Sequence, residues 1–395
     1  VAATLDVMTA SPAALGVLRT LVKGALGAEE GRPAEPVSLG EVAPHDLLEV
    51  IGRHRVSDVL RTHADALGLP REITSVMDAW RQRNQQRLML QTLETVRAVR
   101  LLDEHGIDVL VFKGQALAVQ TTGQYDARGP GDIDLLVAPG KVADAHRVLK
   151  AAGWALHAYG QIEPEMWAWG HVNRWGSALT YIGAGGDVDL HWRFEPLRGA
   201  HPEFAELWPR RELVEIGGAQ VATLSPRDAL GHLAGHREGW TWMRTLIDLR
   251  RLARDPAVFD GGLRAPAAVS LAVARETVGL PVGVPPRIHA QLDRVPAAVL
   301  DRARANHSVS NPSTYSGGSG GHFRHHVASS RNPGDLGRAV VVLALPAHAA
   351  LPIRSRTAWT GVPSALRLRF GNLVRALLGR VRRDAPCVEQ PAPVA

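Results

Sequence analysis

The chain has 395 residues, 45% of them hydrophobic and 21% charged, which allows two or three modest domains with a sizeable core and is ordinary for a globular protein. It holds no run of eighteen or more apolar residues and a single cysteine, Cys387, which excludes a spanning helix, an internal disulfide and a cysteine-based zinc site. The net charge of +6 is uneven: residues 301–395 hold 13 Arg and Lys against 4 Asp and Glu, and such a basic segment suits phosphate, nucleic acid or a membrane surface.

No basic segment followed by an apolar run opens the chain, so no signal peptide is expected and the cytoplasm is the expected compartment. Residues 13–26 read as a helix closed by Gly27. From Pro44 to Glu104 the apolar positions keep helical spacing. Leu47, Leu48, Val50 and Ile51 form one face, and Val56, Val59 and Leu60 begin another. A long helix over 72–105 places Val76, Trp80, Leu88, Leu93 and Val96 three or four apart, and Gly106 closes it. This region packs as a helical domain, with one wall of an acceptor cleft as its functional reading.

A strand is expected over 107–112, ending at Lys113-Gly114, and a helix over 115–121. Amides at a helix start favour anions, and only a small residue lets backbone approach a phosphate closely. Arg128, in the following loop, either pairs with a phosphate or is a solvated loop arginine. Asp132-Ile-Asp134-Leu-Leu-Val137 then opens a second strand. Residues two apart in a strand share a face, so Asp132 and Asp134 present two carboxylates together while Ile133 points into the core. Carboxylates that close repel unless a cation sits between them, and hard cations such as Mg²⁺ are held this way.

Residues 142–152 read as an amphipathic helix closed by Gly153, and 154–159 as a strand. Trp167, Trp169, His171 and Trp175 crowd the next stretch, which is expected to pack as a loop against the sheet, with stacking on a base as the alternative. Residues 177–182, the turn at Gly183-Ala-Gly185-Gly186 and the alternating Asp187-Val-Asp189-Leu-His191-Trp192 read as a hairpin. Asp189 is the stronger third carboxylate, since Asp187 lies beside the turn glycine. His191 is a satisfied histidine beside the acids or a proton shuttle, and the structural role is preferred.

The order Lys113-Gly114, then Tyr125, Arg128 and Asp132-Ile-Asp134-Leu-Leu-Val137, then Val188-Asp-Leu-His-Trp192 resembles the bacterial uncharacterised nucleotidyltransferase family over roughly residues 40 to 300. That resemblance implies a polymerase-β-type core, and some members accompany clusters making ribosomal (lasso) peptide natural products. The wider superfamily usually has Gly-Ser at the first motif; with Lys113-Gly114 here, the phosphate contact falls to Lys113 and backbone amides. The implied chemistry is Mg²⁺- (or Mn²⁺-) dependent transfer of a nucleoside monophosphate from an NTP, ATP being the expected donor. The acceptor is a hydroxyl or phosphate of a peptide natural product or other small molecule. Asp132, Asp134 and Asp189 are the catalytic metal ligands, and Lys113, Gly114, Arg128, His232 and His236 bind the nucleotide. Kinase-like phosphoryl transfer, a tRNA-modifying toxin-like transferase and a nucleotide-binding protein without turnover are the alternatives, and nucleic acid stays open as a partner.

A second hairpin spans 213–216 and 220–224 with Gly217-Gly218 at its turn. Ser225-Pro226-Arg-Asp228 starts a helix as cap, first-position proline and first-turn acid. His232 and His236 stand four apart, but Leu233-Ala-Gly235 follows where a zinc-protease motif has Glu, so zinc is not expected. With Trp240, Arg244 and Asp248, which resemble family residues, they read as a wall facing the nucleotide. Residues 306–333, rich in Ser, Gly, Asn and His, read as a linker. Leu366, Phe370, Leu373 and Leu377 interleave with Arg367, Arg369, Arg375 and Arg380 as a basic amphipathic helix, docked on the body or bound to a membrane surface or acidic acceptor. The expected class is α+β, a small mixed β-sheet nucleotidyltransferase core flanked by helical domains. Its expected segments are 1–105 (helical), 106–224 (core), 225–305 (helical), 306–335 (linker) and 336–395 (basic C-terminal segment).

Overall fold

A computed structural model describes residues 10–157, 162–196, 201–236, 240–307 and 333–381. Contacts group residues 1–157 and 177–339 into one compact unit, and residues 158–176 and 340–395 into another. Tyr159 in the expected strand, most of the expected linker, Arg382, Arg383 and Cys387 lie outside the described residues.

The first unit opens with helices. α1 (Pro12–Glu29) starts at Ser11, whose side chain accepts the Ala14 N–H, and its buried stripe includes Leu18, Leu21, Val22 and Leu26. α2 (Pro44–His54) ends on Arg55 in the left-handed region, and α3 (Ser57–Thr62) follows. α4 (Arg71–Glu104) runs 34 residues, roughly 50 Å at helical rise. Its inner face carries Gln91, Thr92, Glu94 and Thr95 as buried polar residues, while Met89, Leu90 and Leu93 face outward.

β1 (Val109–Val111), α5 (Gly114–Thr122), β2 (Ile133–Val137), α6 (Val142–Ala151) and β3 (Ala155–Leu156) come next. α7 (Trp167–Trp175) belongs to the second unit, and β4 (Ala178–Ile182) and β5 (Val188–His191) return to the first. The sheet order is β1-β2-β5-β4-β3. Only the β2–β5 pair is parallel; the other three are antiparallel. The parallel pair joins strands about fifty residues apart, with α6 inside the connection. All of β2 is buried, as a central strand covered on both faces requires. On one face Leu110, Phe112 and Leu136 enter the main core cluster with Phe194, Leu230, Leu233 and Leu246.

After α8 (Phe204–Leu207), β6 (Glu212–Ile216) and β7 (Ala219–Thr223) form the expected second hairpin. Gly217 and Gly218 take φ 57° and 77°, the left-handed pair that a tight two-residue turn demands. α9 (Pro226–Gly235) begins as its sequence suggests: Ser225 accepts the Asp228 N–H, with Pro226 at the first position. α10 (Met243–Leu252), α11 (Ala265–Thr277), α12 (Pro286–Leu292) and α13 (Ala297–His307) complete the helical cover.

Two polar devices tie the ends of this unit together. Arg250 and Arg251 of α10, both buried, pair with Glu30 and Glu29 at the end of α1, at 2.8 and 2.5 Å. His54 of α2 accepts the Met243 N–H at 3.3 Å through Nδ1, and its Nε2 donates to the His307 carbonyl at 3.2 Å. His307 Nε2 donates in turn to the Trp240 carbonyl at 2.8 Å.

In the second unit the tryptophan-rich stretch is a helix, α7, rather than a loop laid on the sheet. The Trp167 N–H donates to Ser355 at 3.0 Å, and His171 Nε2 donates to the Leu345 carbonyl at 3.1 Å. α14 (Pro333–Ala344) begins in the first unit and ends in the second, and α15 (Ala347–Ala350) and α16 (Ala358–Val381) complete the second, with Gly361 against the Trp167 ring. Among the described residues no helix is long and apolar enough to cross a membrane.

Candidate active site

The β2–β5 ladder pairs Asp134 directly with Asp189, and Leu136 with His191. Alternation then puts Asp134, Asp189 and His191 on one face, because each step of two returns to the same side. One ligand atom from each of these three lies within 4.8 Å of the other two. Phe112 stands on this face too, since its N–H donates to the Asp134 carbonyl in the β1 register.

Each acid has a different setting. The Asp134 carboxylate lies 3.3 Å from Lys113 Nζ and 3.3 Å from His191 Nε2. It is buried, because Lys113 before α5 and His191 close over it. Burial alone would raise its carboxyl, but the Lys113 ammonium and His191 outweigh that and hold it below the usual range. Asp189 accepts a 2.5 Å hydrogen bond from Thr180 on β4, its cross-strand partner. Asp132 is exposed. Burial of its surroundings, then the charges of Asp189, Asp134 and Asp187, push its carboxyl above the usual range. Crowded carboxylates plus an imidazole make a donor set that fits a divalent cation such as Mg²⁺ or Mn²⁺.

α4 aims the first acid. Gln91 is buried and clamps the strand entrance: its Oε1 accepts the Gly131 N–H at 3.3 Å, and its Nε2 donates to the Gly131 and Asp132 carbonyls at 2.9 and 3.3 Å. Sequence reading missed Gln91 and Thr180. The signal for Gln91 was there: a long polar side chain on the inner face of an amphipathic helix must find partners.

The turn at Lys113-Gly114 leads into α5. Lys113 has φ 63° and ψ −154°, and Gly114 φ 43°. Arg128 is not a solvated loop arginine. Its side chain is 8% exposed, donates to the Gly114 carbonyl at 3.3 Å and pairs at 2.7 Å with Asp248 of α10, itself 1% exposed. Arg244, one turn earlier on α10, has its pKa lowered to about 9 by burial and by Arg128 and Arg55, so it stays cationic at neutral pH. The start of α5 is thus braced by the Arg128 guanidinium, whose charge Asp248 balances.

His232 of α9 is buried, with its ring 5.1 Å from Phe112 and 4.2 Å from Phe194, and neither ring nitrogen has a hydrogen-bond partner. Burial first, then Lys113 and the neighbouring histidines, push its pKa well down, so it is neutral at pH 7. His236 does not share the helix face with it: it is the capping residue past the end of α9, in extended backbone, its ring 5.7 Å from that of His232.

Residues 40–272 match the family described as uncharacterised nucleotidyltransferase. No curated protein matches the chain. Among solved structures it is similar to an antigenic nucleotidyltransferase-like protein from Paracoccidioides brasiliensis, at 17% identity and TM-score 0.32, over 53% of this chain and 95% of that one. It is also similar to the antibiotic-resistance factor ANT(2'')-Ia, at 14% identity and TM-score 0.27, over 56% of this chain and 95% of that one. Likenesses this distant carry no weight for the site. The family match spans more than half of the chain and contains the sheet, the acids and the α5 turn; the protein belongs to the uncharacterised nucleotidyltransferase family and is a nucleotidyltransferase.

Proposed function

We propose that this enzyme transfers a nucleoside monophosphate from an NTP, ATP first among donors, to a hydroxyl or phosphate of a small-molecule or peptide acceptor. The observation that carries the reading is the in-register pairing of Asp134 with Asp189, beside exposed Asp132 and next to the Lys113 ammonium at the start of α5. Asp132, Asp134 and Asp189 would hold Mg²⁺ or Mn²⁺, which when bound neutralises phosphate charge and lowers the pKa of an acceptor hydroxyl.

The chain's own groups divide the remaining work. Lys113 and the amides opening α5 face the triphosphate. Arg128, held by Asp248, braces the turn through the Gly114 carbonyl. His232, which is neutral, and His236 line the nucleotide side. Asp189, oriented by Thr180, takes the acceptor proton. The acceptor oxygen bonds to the α-phosphorus, the bond from that phosphorus to the β-bridging oxygen breaks, and pyrophosphate leaves.

The test is calorimetric titration of each NTP with Mg²⁺ into the wild type and an Asp132→Asn, Asp134→Asn protein. Mg²⁺-dependent binding of one NTP, absent from the double variant, supports the reading; equal binding by both proteins overturns it. Acceptor mass then fixes the reaction: about 329 Da added for AMP, about 80 Da for phosphoryl transfer.

A further inference from the structure

Lys113 sits in a backbone region that is essentially reserved for glycine: φ 63°, ψ −154°. Among the described residues the other non-glycine with positive φ is Arg55, whose ordinary left-handed conformation ends a helix. The strain at Lys113 therefore wants a reason, and strained residues persist where the side chain is needed. Its ammonium lies 3.3 Å from the Asp134 carboxylate and 5.3 Å from the centre of the Phe112 ring. The Asp134 oxygen that it faces is the one that His191 Nε2 also approaches. A divalent cation on that oxygen would meet a fixed positive charge at contact distance, and the two cannot share it without strong repulsion. The residue that follows, Gly114, starts α5, so an ammonium leaving Asp134 has the anion-binding helix start beside it.

We propose that Lys113 is the resident counter-ion of the carboxylate site: its ammonium and a divalent cation are alternative occupants of Asp134, and the displaced ammonium passes to the triphosphate. The proposal rests on the reading of Asp132, Asp134 and Asp189 as divalent-cation ligands. It makes the cation and the nucleotide bind cooperatively. The cation alone must displace a lysine that has nowhere to go, whereas cation and triphosphate together give both charges a partner.

The test is direct Mn²⁺ binding to the full chain, read without nucleotide by the loss of free-ion electron paramagnetic resonance signal, and with ATP by the Mn²⁺ that the protein retains in equilibrium dialysis beyond an ATP-only control. Without nucleotide, Lys113→Met should bind Mn²⁺ about tenfold or more tightly than wild type, because the competing charge is gone. With ATP that advantage should shrink or reverse. Lys113→Gly, which suits the backbone, should behave alike and covers the case in which the Met variant does not fold. If both variants bind Mn²⁺ no better than wild type while Asp134→Asn still abolishes binding, the exchange is overturned and the metal site stands. If wild type binds no Mn²⁺ even with ATP, the metal reading fails and the exchange with it.

Discussion

Asp132 and Asp134 stand two residues apart with opposite electrostatic roles in the folded protein. Asp134 neutralises Lys113 and neighbours His191, so Asp134→Asn should remove activity and also lower stability by about 1–3 kcal/mol, because it leaves a half-buried ammonium without its partner. Asp132 has its carboxyl pushed up by burial and then by the neighbouring acids, so its charge works against the metal-free fold. Asp132→Asn should abolish turnover yet raise the melting temperature of the metal-free protein, and thermal unfolding of the two variants in chelator separates them. Lys113 gives a cleaner comparison. Lys113→Ala and Lys113→Gly both lose the ammonium but only alanine keeps the backbone strain, so the glycine variant should be more stable by about 1–2 kcal/mol in urea unfolding. The shared face of Asp189 and His191 was legible in the sequence, because alternation is a local rule, but the β2–β5 register that sets Asp134 beside them is not local. The burial of Asp134 was not legible either, since the groups that cover it come from the turn before α5 and from β5.

α4 makes the element-scale case. A helix of its length is easily read from apolar spacing, and its limits fall within a residue or so of those expected. Its effect on the site was hidden, because Gln91 acts on a loop forty residues downstream. Gln91→Leu keeps the volume but strips three hydrogen bonds from the entrance to β2. It should cost about 1–3 kcal/mol locally, speed hydrogen exchange at the Gly131 amide, and lower kcat with little change in overall helix content. An unchanged exchange rate at Gly131 would show that the clamp does not hold the strand entrance. The second hairpin and the start of α9 were readable for the opposite reason: Gly217-Gly218 and Ser225-Pro226 carry their structure within two to four residues. α7 was missed because no side chain caps it and Gly170 interrupts it; two bonds that anchor it, at Trp167 and His171, go to Ser355 and Leu345, far along the chain.

At the scale of the first unit, α2, α10 and α13 are joined by two neutral histidines. Burial, then His307, pushes His54 down to about 3, and burial pushes His307 down to about 4. Both values lie below the ordinary 6.5, so the unfolded chain takes up these protons first. Their contribution to stability is therefore complete above about pH 6.5 and is lost as pH falls toward 4, at roughly 1–3 kcal/mol per pH unit for the pair. Urea unfolding at pH 7 and pH 5 should show this loss, and a His54→Gln, His307→Gln protein should show a shallower one. Protonation at His54 would also place positive charge on the first amide of α10, the helix that holds Arg244 and Asp248. The path of the chain has one more outcome. It leaves the sheet after β3 and re-enters at β4, where Ala155 pairs with Ile182 and Leu156 with Tyr181. The excursion over 158–176, which builds part of the second unit, thus has its two ends fastened side by side at a sheet edge, while the catalytic register is held further in by the β2–β5 ladder. Lineages could lengthen, shorten or replace that excursion without shifting Asp134 against Asp189, leaving the chemistry inherited while an appended module diverges.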